Sequence, residues 1–296
     1  MTFVDQDHIL LSKPEPVDEV KLIYGYSKPV SNWSVLKATF KKQMQIYFRY
    51  KANLIGDIVR MLIMVVLFWF FSVALVFDDL VHKDPRSNFI FYLSSFMFLV
   101  YDGPAMWTPY NTTVEDLYNG TLESIYVNPS PRYTYYIGTT FASITWSSII
   151  FVPFFVTMIF AAKLSVYQIV LILVIVILTL VSISFIGVIM AMSIILWKQT
   201  RSLMGIISTS WTFMTGAIIP FISLPIALQL WGFIFPITVG YDLIRHYAFG
   251  DDWVSFMDVT YQWGLLIFYI IFYFIISIRM IAKVEKYAKN KGLHLI

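Results

Sequence analysis

The sequence contains no cysteine, and charged residues make up only 13% of its 296 positions. Without cysteine the chain can form no disulfide, no thiolate metal site and no thiol nucleophile. Soluble domains carry about 25% charged residues, so this chain has too little polar surface to face water on all sides. Since 58% of its residues are hydrophobic, we predict an all-α integral membrane protein with several spanning helices.

Sequence motifs for catalysis are also missing. There is no G-x-x-x-x-G-K-[ST] loop for nucleotide phosphates and no H-E-x-x-H pair for zinc. We therefore expect no catalytic site, metal or cofactor in this chain, and any ATP would be bound by a separate protein. Asp78–Asp79 and Asp251–Asp252 are expected to be solvated loop residues. The alternative is an intramembrane enzyme for a lipid-linked substrate, in which such acidic pairs hold magnesium and a lipid phosphate.

Six segments are predicted to cross the membrane, because a spanning helix needs about 20 mostly apolar residues. In chain order they are Ile58–Phe77, Phe89–Trp107, Tyr135–Ala161, Val166–Trp197, Leu203–Ile222 and Thr260–Ile278. The centres of these segments carry no charge. That argues against ion-coupled transport, since such carriers place ionisable groups at mid-membrane.

The stretch between Leu203 and Tyr241 holds no charged residue, yet it is too broken for two long helices. Three prolines interrupt it, and each removes a helical hydrogen bond. We predict a single crossing over residues 203–222, followed by a re-entrant hairpin that enters the membrane before the last span without crossing it. The residues assigned to this hairpin are Pro220, Pro225, Pro236 and Arg245, with Arg245 and its neighbour Asp242 in an outer loop.

Lysine and arginine are dense near both ends of the sequence. Because positive flanks mark the cytoplasmic side, we expect both termini inside, an even number of spans and a multi-pass protein of the cell membrane. Residues 1–30 would form a cytoplasmic tail and residues 31–296 the membrane domain. The first 57 residues hold no long apolar stretch, so no cleavable signal peptide is expected.

An amphipathic helix is predicted ahead of the first span. Apolar residues recur there at helical spacing, namely Trp33, Leu36, Phe40, Met44, Tyr47, Leu54 and Ile55. The opposite face is polar and basic, with Lys37, Lys41, Lys42, Gln45 and Arg49. Such a helix lies in the plane of the membrane interface, either as an anchor on anionic lipids or as a lever that joins a cytoplasmic partner to the first span.

The segment from Tyr110 to Pro131 is more polar than its surroundings and is predicted to form a cytoplasmic loop over residues 108–134. Thr112 and Glu115 have capping-box spacing, which would start a short helix. Gly120 can end that helix, and a second one can follow before the proline-rich run that closes the segment. The product is either a solvated turn or a helical elbow whose acidic face is formed by Glu115, Asp116 and Glu123.

Two stretches resemble the signatures of ABC-2-type permeases, the group that includes the daunorubicin-resistance permease family. The first is G-T-L-E at Gly120–Glu123, with Glu115 five residues before the glycine and Pro129 after it. The second is Leu224–Gly250, where a leucine–proline pair, a second proline and an arginine precede the last span. The resemblance extends from about Trp33 to the end of the chain.

This resemblance implies the membrane-spanning permease subunit of an ATP-driven ABC exporter. The elbow would be the coupling helix that docks on a cytoplasmic ABC ATPase, through Glu115, Gly120, Thr121, Leu122, Glu123 and Pro129. The resemblance also implies a homodimer whose two copies line one path, with membrane lipids around it. No nucleic acid is expected among the partners.

Small and hydroxyl residues lie along the predicted fifth span, namely Ser208, Thr209, Thr212 and Thr215, with Gly205 and Gly216 nearby. At membrane depth such residues mediate close packing between helices. They are also suited to line a transport path, and the sequence leaves both interpretations open.

Overall fold

A computed structural model describes residues 31–74, 85–122, 125, 132–197 and 200–291, and every regular element in these ranges is a helix. In chain order the helices are α1 (Asn32–Arg49), α2 (Lys51–Ala74), α3 (Pro85–Asp102), α4 (Thr108–Tyr118), α5 (Arg132–Ala162), α6 (Val166–Trp197), α7 (Arg201–Met214), α8 (Ile226–Gly232), α9 (Pro236–Phe249) and α10 (Val259–Lys291). The all-α class is confirmed, and the predicted tail over residues 1–30 lies outside the described residues.

Within the described part of the chain, five helices are long and apolar enough to span a membrane. They run over Ile55–Ala74, Arg86–Tyr118, Arg132–Ala162, Val166–Trp197 and Val259–Ala288. The bent pair α8–α9 makes a sixth if it crosses as one broken span. Five of the predicted spans fall on the long helices, and only the predicted span over residues 203–222 does not.

Helix α3 forms the centre of the bundle. Its side chains Phe91, Tyr92, Met97 and Phe98 are fully buried. The Phe96 ring lies 4.0 Å from that of Phe154 on α5, measured between centroids. By contrast, α2 and α10 expose many large apolar side chains. Such faces are stable only against lipid or another chain, because exposing large apolar side chains to water is unfavourable in free energy.

The second spanning helix is longer than predicted, since α3 continues through a π-helical turn, Gly103–Trp107, into α4. The result is one 33-residue rod over Arg86–Tyr118. Pro104 has no N–H to donate, and the wider π turn absorbs the missing bond. Thr112 therefore lies inside a helix and bonds back to the Thr108 carbonyl at 2.8 Å. The prediction that Thr112 caps a new helix was wrong, as was a cytoplasmic loop beginning at residue 108.

The predicted amphipathic helix is present as α1, but protein buries part of its apolar face. Phe40 packs on Phe141 and Tyr47 on Trp146, with ring centroids 5.5 and 5.3 Å apart. These contacts advance in the same direction along both helices, so α1 runs beside the first turns of α5. The basic residues on its other face, Lys37, Lys41, Lys42 and Arg49, are exposed.

Helix α7 ends at Met214, well before the predicted boundary at Ile222. Its 14 residues extend about 21 Å at 1.5 Å per residue. The backbone then turns at Gly216, whose φ of +90° lies in the left-handed region that glycine favours. The three prolines that follow lie where a helix begins: Pro220 precedes a 3-10 turn, Pro225 precedes α8 and Pro236 is the first residue of α9. The first N–H groups of a helix have no partner within it, so the missing N–H of proline breaks no helical hydrogen bond there.

The chain bends by 101° between helices α8 and α9. Near the other end of α9, the Gln168 side chain donates to the Tyr247 carbonyl at 2.9 Å, level with the first turn of α6. Gly240 of α9 lies against Thr179 of α6. Thr179 is eleven residues after Gln168, which is roughly 16 Å along the helix. The bent pair therefore has the shape of either one broken span or the predicted re-entrant hairpin, and the hairpin stays a prediction.

Candidate coupling site and membrane interior

The end of α4 belongs to the part of the predicted elbow that the structure describes. The Asn119 N–H bonds to the Glu115 carbonyl at 2.9 Å, and Gly120 then adopts φ +68°. The Thr121 N–H returns to the Asp116 carbonyl at 3.0 Å, which closes the turn. The sequence correctly assigned the helix end to Gly120, because a left-handed residue at this position is usually glycine.

The predicted coupling residues occupy different environments. Glu115, Gly120 and Thr121 are exposed, whereas Leu122 is buried under the turn. Glu123 and Pro129 lie outside the described residues. The predicted second short helix is described in part, at Thr121, Leu122 and Ile125, where the Ile125 N–H bonds to the Thr121 carbonyl at 3.3 Å. Among the acidic residues of the elbow that the structure describes, Glu115 therefore has the carboxylate that a partner can reach.

Asp116 is the central residue of this turn. Its Oδ1 accepts a hydrogen bond from the Thr121 hydroxyl at 2.8 Å, and its Oδ2 accepts one from the Tyr135 hydroxyl. The carboxylate is buried, so the prediction that it belongs to an exposed acidic face was wrong. Sequence reasoning missed this role because the second donor lies in another helix, 19 residues away. The bonds fix the end of the rod to the first turn of α5.

Further contacts join the same end of the bundle. The Thr113 hydroxyl lies 3.5 Å from that of Tyr136 on α5. Arg132, the first residue of α5, pairs with Glu285 on α10, with 3.5 Å between Nε and Oε1. The turn at the end of α4 is thus held against α5, and α5 is paired with α10 at the same end of the bundle.

The hydroxyl residues of α7 do not share one environment. The Ser208 hydroxyl accepts a hydrogen bond at 3.4 Å from the indole N–H of Trp107, which lies in the π turn. The Thr212 hydroxyl donates to the Ser208 carbonyl within α7. Thr215 is fully buried. Thr209 is exposed and lines a groove of about 580 Å³ together with Ser202, Gly205, Ile206 and Phe213.

Arg245 and Asp242 lie inside the bundle on α9, and the prediction of an outer loop for them was wrong. Arg245 is 1% exposed and donates to Ser94 and Ser95 of α3 and to the Gly216 carbonyl. The Asp242 carboxylate accepts bonds from Trp253 at 2.9 Å and from Gln262 at 2.6 Å. Charged groups are therefore present in the interior, although the predicted span centres carry none.

The turn between α8 and α9 is fixed by close backbone contacts. A Cβ at Gly232 would lie 2.1 Å from the Met214 carbonyl, so only glycine fits against the end of α7. Tyr269 and Tyr273 of α10 donate their hydroxyl groups to the carbonyls of Phe233 and Ile234. The α8–α9 turn is therefore bonded to α10 and packed on α7 at the same depth.

Among the described residues, no group of three His, Cys, Asp or Glu side chains could hold a metal ion. Asp252 lies in the 3-10 turn Gly250–Asp252, and Asp78–Asp79 fall outside the described residues. The arrangement instead consists of a polar turn at one end of the central rod and of the bent pair α8–α9, which is bonded to the same rod through Arg245.

These features define a multi-pass helical membrane protein. The model of the ABC-2 type transporter family matches residues 33–249, and the chain belongs to that family. It is therefore the membrane permease component of an ABC transporter and not the catalytic subunit. The match is to the broad family and does not single out the daunorubicin-resistance permeases. No curated protein matches the chain.

Proposed function

We propose that this chain is the permease subunit of an ATP-driven exporter, and that a separate cytoplasmic ABC ATPase docks on its elbow. Membership in the ABC-2 family implies an ATPase partner, and the sequence carries no phosphate-binding loop of its own. The observation that carries the proposal is the ordered turn at Gly120, held by Asp116 at the end of the central rod.

The turn has the properties of a docking point. Glu115 is exposed beside it, and an acidic side chain can make charge-assisted hydrogen bonds to arginine or to backbone N–H groups of a partner. Behind it, Asp116 and Leu122 are buried, so the surface is supported rather than loose. Movement of a bound ATPase would then displace α4 and α5 instead of only bending a loop.

We also propose a homodimer as the transporting unit. The polar face of α7 lines an open groove rather than an enclosed channel, so a path along it needs a second chain to close it. Symmetric pairing of two copies is the commonest way for a protein to complete such a surface. The exposed apolar side chains of α2, among them Leu62, Val66 and Phe70, leave ample area for contact with a copy or with lipid.

The orientation proposed for this function places the elbow and both termini in the cytoplasm of a cell-membrane protein. Basic residues cluster before α2 and along the last turns of α10, and positive flanks mark the inner side. The elbow lies at the same end of the bundle as Glu285 and its basic neighbours, through the Arg132–Glu285 pair.

Co-purification tests the proposal directly. A tagged permease extracted in mild detergent should bring down an ABC ATPase, with two permeases for every two ATPase subunits. Vanadate-sensitive ATP hydrolysis should accompany the complex and be absent from the permease alone. An activity on lipid-linked substrates that persists without any ATPase would instead support the intramembrane enzyme.

A further inference from the structure

Arg245 connects three segments that are far apart in the sequence. Its Nε donates to the Ser94 hydroxyl at 3.1 Å and its Nη2 to the Ser95 hydroxyl at 2.7 Å, both on α3. Its Nη1 donates to the Gly216 carbonyl at 2.8 Å, in the turn that follows α7. One guanidinium group on α9 thus bonds to the central rod and to the end of the neighbouring helix at once.

The surroundings of Arg245 make this junction strong. The guanidinium carbon lies 3.7 Å from the centroid of the Phe91 ring, a cation–π contact in a water-poor site. Ser95 reinforces the junction by donating to the Ala217 carbonyl at 2.6 Å. A buried cation that loses a partner is left uncompensated, which is costly in a low-dielectric interior. The three segments should therefore stay together as long as Arg245 is present.

The serines belong to the same continuous helix that ends at the elbow. From Ser95 to Tyr118 the rod contains 24 residues and extends roughly 35 Å. Between these ends, Trp107 contacts Ser208 of α7. On the far side of α9, Asp242 bonds to Gln262 of α10. Displacement of the rod at the elbow end would therefore reach α9 through Arg245.

We infer that Arg245 is the positioning residue that transmits movement of the rod to the re-entrant pair α8–α9 and to the turn at Gly216. This inference rests on the proposed function, in which the ATPase acts at the elbow. A residue that only braces the fold would stabilise every state of the protein alike. A transmitting residue is different, because without it the re-entrant segment no longer responds to nucleotide.

A buried reporter cysteine can distinguish these two roles. The chain has no native cysteine, and Ala217 is 1% exposed beside the Gly216 carbonyl that Arg245 holds. In Ala217→Cys, the rate of N-ethylmaleimide labelling reports how often this turn opens. The rate is measured on the purified permease–ATPase complex, without nucleotide and after trapping with ATP and vanadate.

In the parent with the reporter we expect slow labelling whose rate changes on trapping. Arg245→Gln should label about tenfold faster or more, because hydrogen bonds from a charged group are lost. It should also give the same rate with and without trapping, while the ATPase remains bound. Arg245→Lys should behave similarly, since an ammonium group cannot reproduce the three-way fork. Ser95→Ala, a milder change, keeps the test available if the arginine variants fail to accumulate.

Arg86→Gln is the matched control. Arg86 also lies on α3 and donates to a backbone carbonyl, that of Ala161, at 2.6 Å, but its side chain is exposed, whereas that of Arg245 is buried. Its substitution should leave both labelling rates unchanged. Unchanged labelling in Arg245→Gln would overturn the inference, and so would faster labelling that still responds to trapping. A parent that binds no ATPase would instead overturn the proposed function.

Discussion

The hydroxyl group of Tyr135 donates to the carboxylate of Asp116, and this bond joins the first turn of α5 to the end of α4. Asp116 also accepts from Thr121, so one buried carboxylate orders the turn and attaches it to the bundle. A docking surface needs this kind of support, because a partner's movement is lost if the contacted segment gives way.

Removing the tyrosine hydroxyl should loosen the elbow. Tyr135→Phe leaves the buried Asp116 carboxylate with one donor fewer, at a cost of about 1–3 kcal/mol. A cysteine introduced at the buried Leu122 position should then label faster, and less ATPase should co-purify. Tyr133→Phe is the control, since the side chain of Tyr133 is 47% exposed. Equal labelling in the two variants would contradict the supporting role of Tyr135.

The turn at Gly120 should not tolerate a β-branched residue. Its φ of +68° costs other L-residues roughly 1–2 kcal/mol, whereas asparagine adopts this region more readily. Nothing lies within 4 Å of a Cβ built there, so the strain is in the backbone alone. Gly120→Val should weaken ATPase binding while insertion is retained, and Gly120→Asn should be close to the parent. If both variants bind the ATPase equally, the turn is not part of the dock.

The acidic side chains of the elbow should contribute directly to docking. Losing one partner of a desolvated charge pair costs about 2–5 kcal/mol, whereas a charge at the rim is worth roughly 0–1 kcal/mol. Glu115→Ala and Glu123→Ala should therefore reduce ATPase binding or uncouple ATP hydrolysis from transport, without affecting insertion. Asp252→Ala, in the turn before α10, should be near neutral in the same pull-down. If both glutamate variants bind the ATPase like the parent, the acidic side chains of the elbow do not contribute to docking.

Gly187 should be required for the bundle to assemble. A Cβ there would lie 2.6 Å from the Ala105 carbonyl in the π turn, and backbone cannot yield as a flexible side chain can. Gly187→Ala should lower thermal stability in detergent by several degrees or prevent accumulation, since overpacking costs about 1–3 kcal/mol. Gly264→Ala, where no atom lies within 4 Å, is the matched control. Equal melting temperatures would show that α3 and α6 can separate at this contact.

The proposed orientation can be tested with single cysteines, because no native thiol interferes. A membrane-impermeant maleimide added from outside should label positions 79, 163 and 251. Positions 123, 201 and 289 should label only after permeabilisation, because the basic flanks hold that side in the cytoplasm. Labelling of position 289 in intact cells would exclude an even number of spans with both termini inside.

Much of the architecture follows from local patterns in the sequence. The apolar stretches of α2, α5, α6 and α10 are long enough to identify each helix on its own, since hydropathy needs no knowledge of neighbours. The end of α4 at Gly120 is equally local, because one backbone conformation at one residue decides it. The amphipathic pattern of α1 likewise predicts its helix, although not the surface that covers it.

The tertiary structure decided which polar residues lie inside and where two helices end. Asp116 looks like a neighbour of Glu115 in sequence, but a hydroxyl 19 residues away draws it into the interior. Arg245 looks like a loop residue until Ser94, 151 residues earlier, supplies an acceptor. Helix α7 ends at Met214, where Gly232 at the end of α8 packs against its last carbonyl. Burial of a charge and termination of an apolar helix both depend on distant partners, and no local pattern contains those partners.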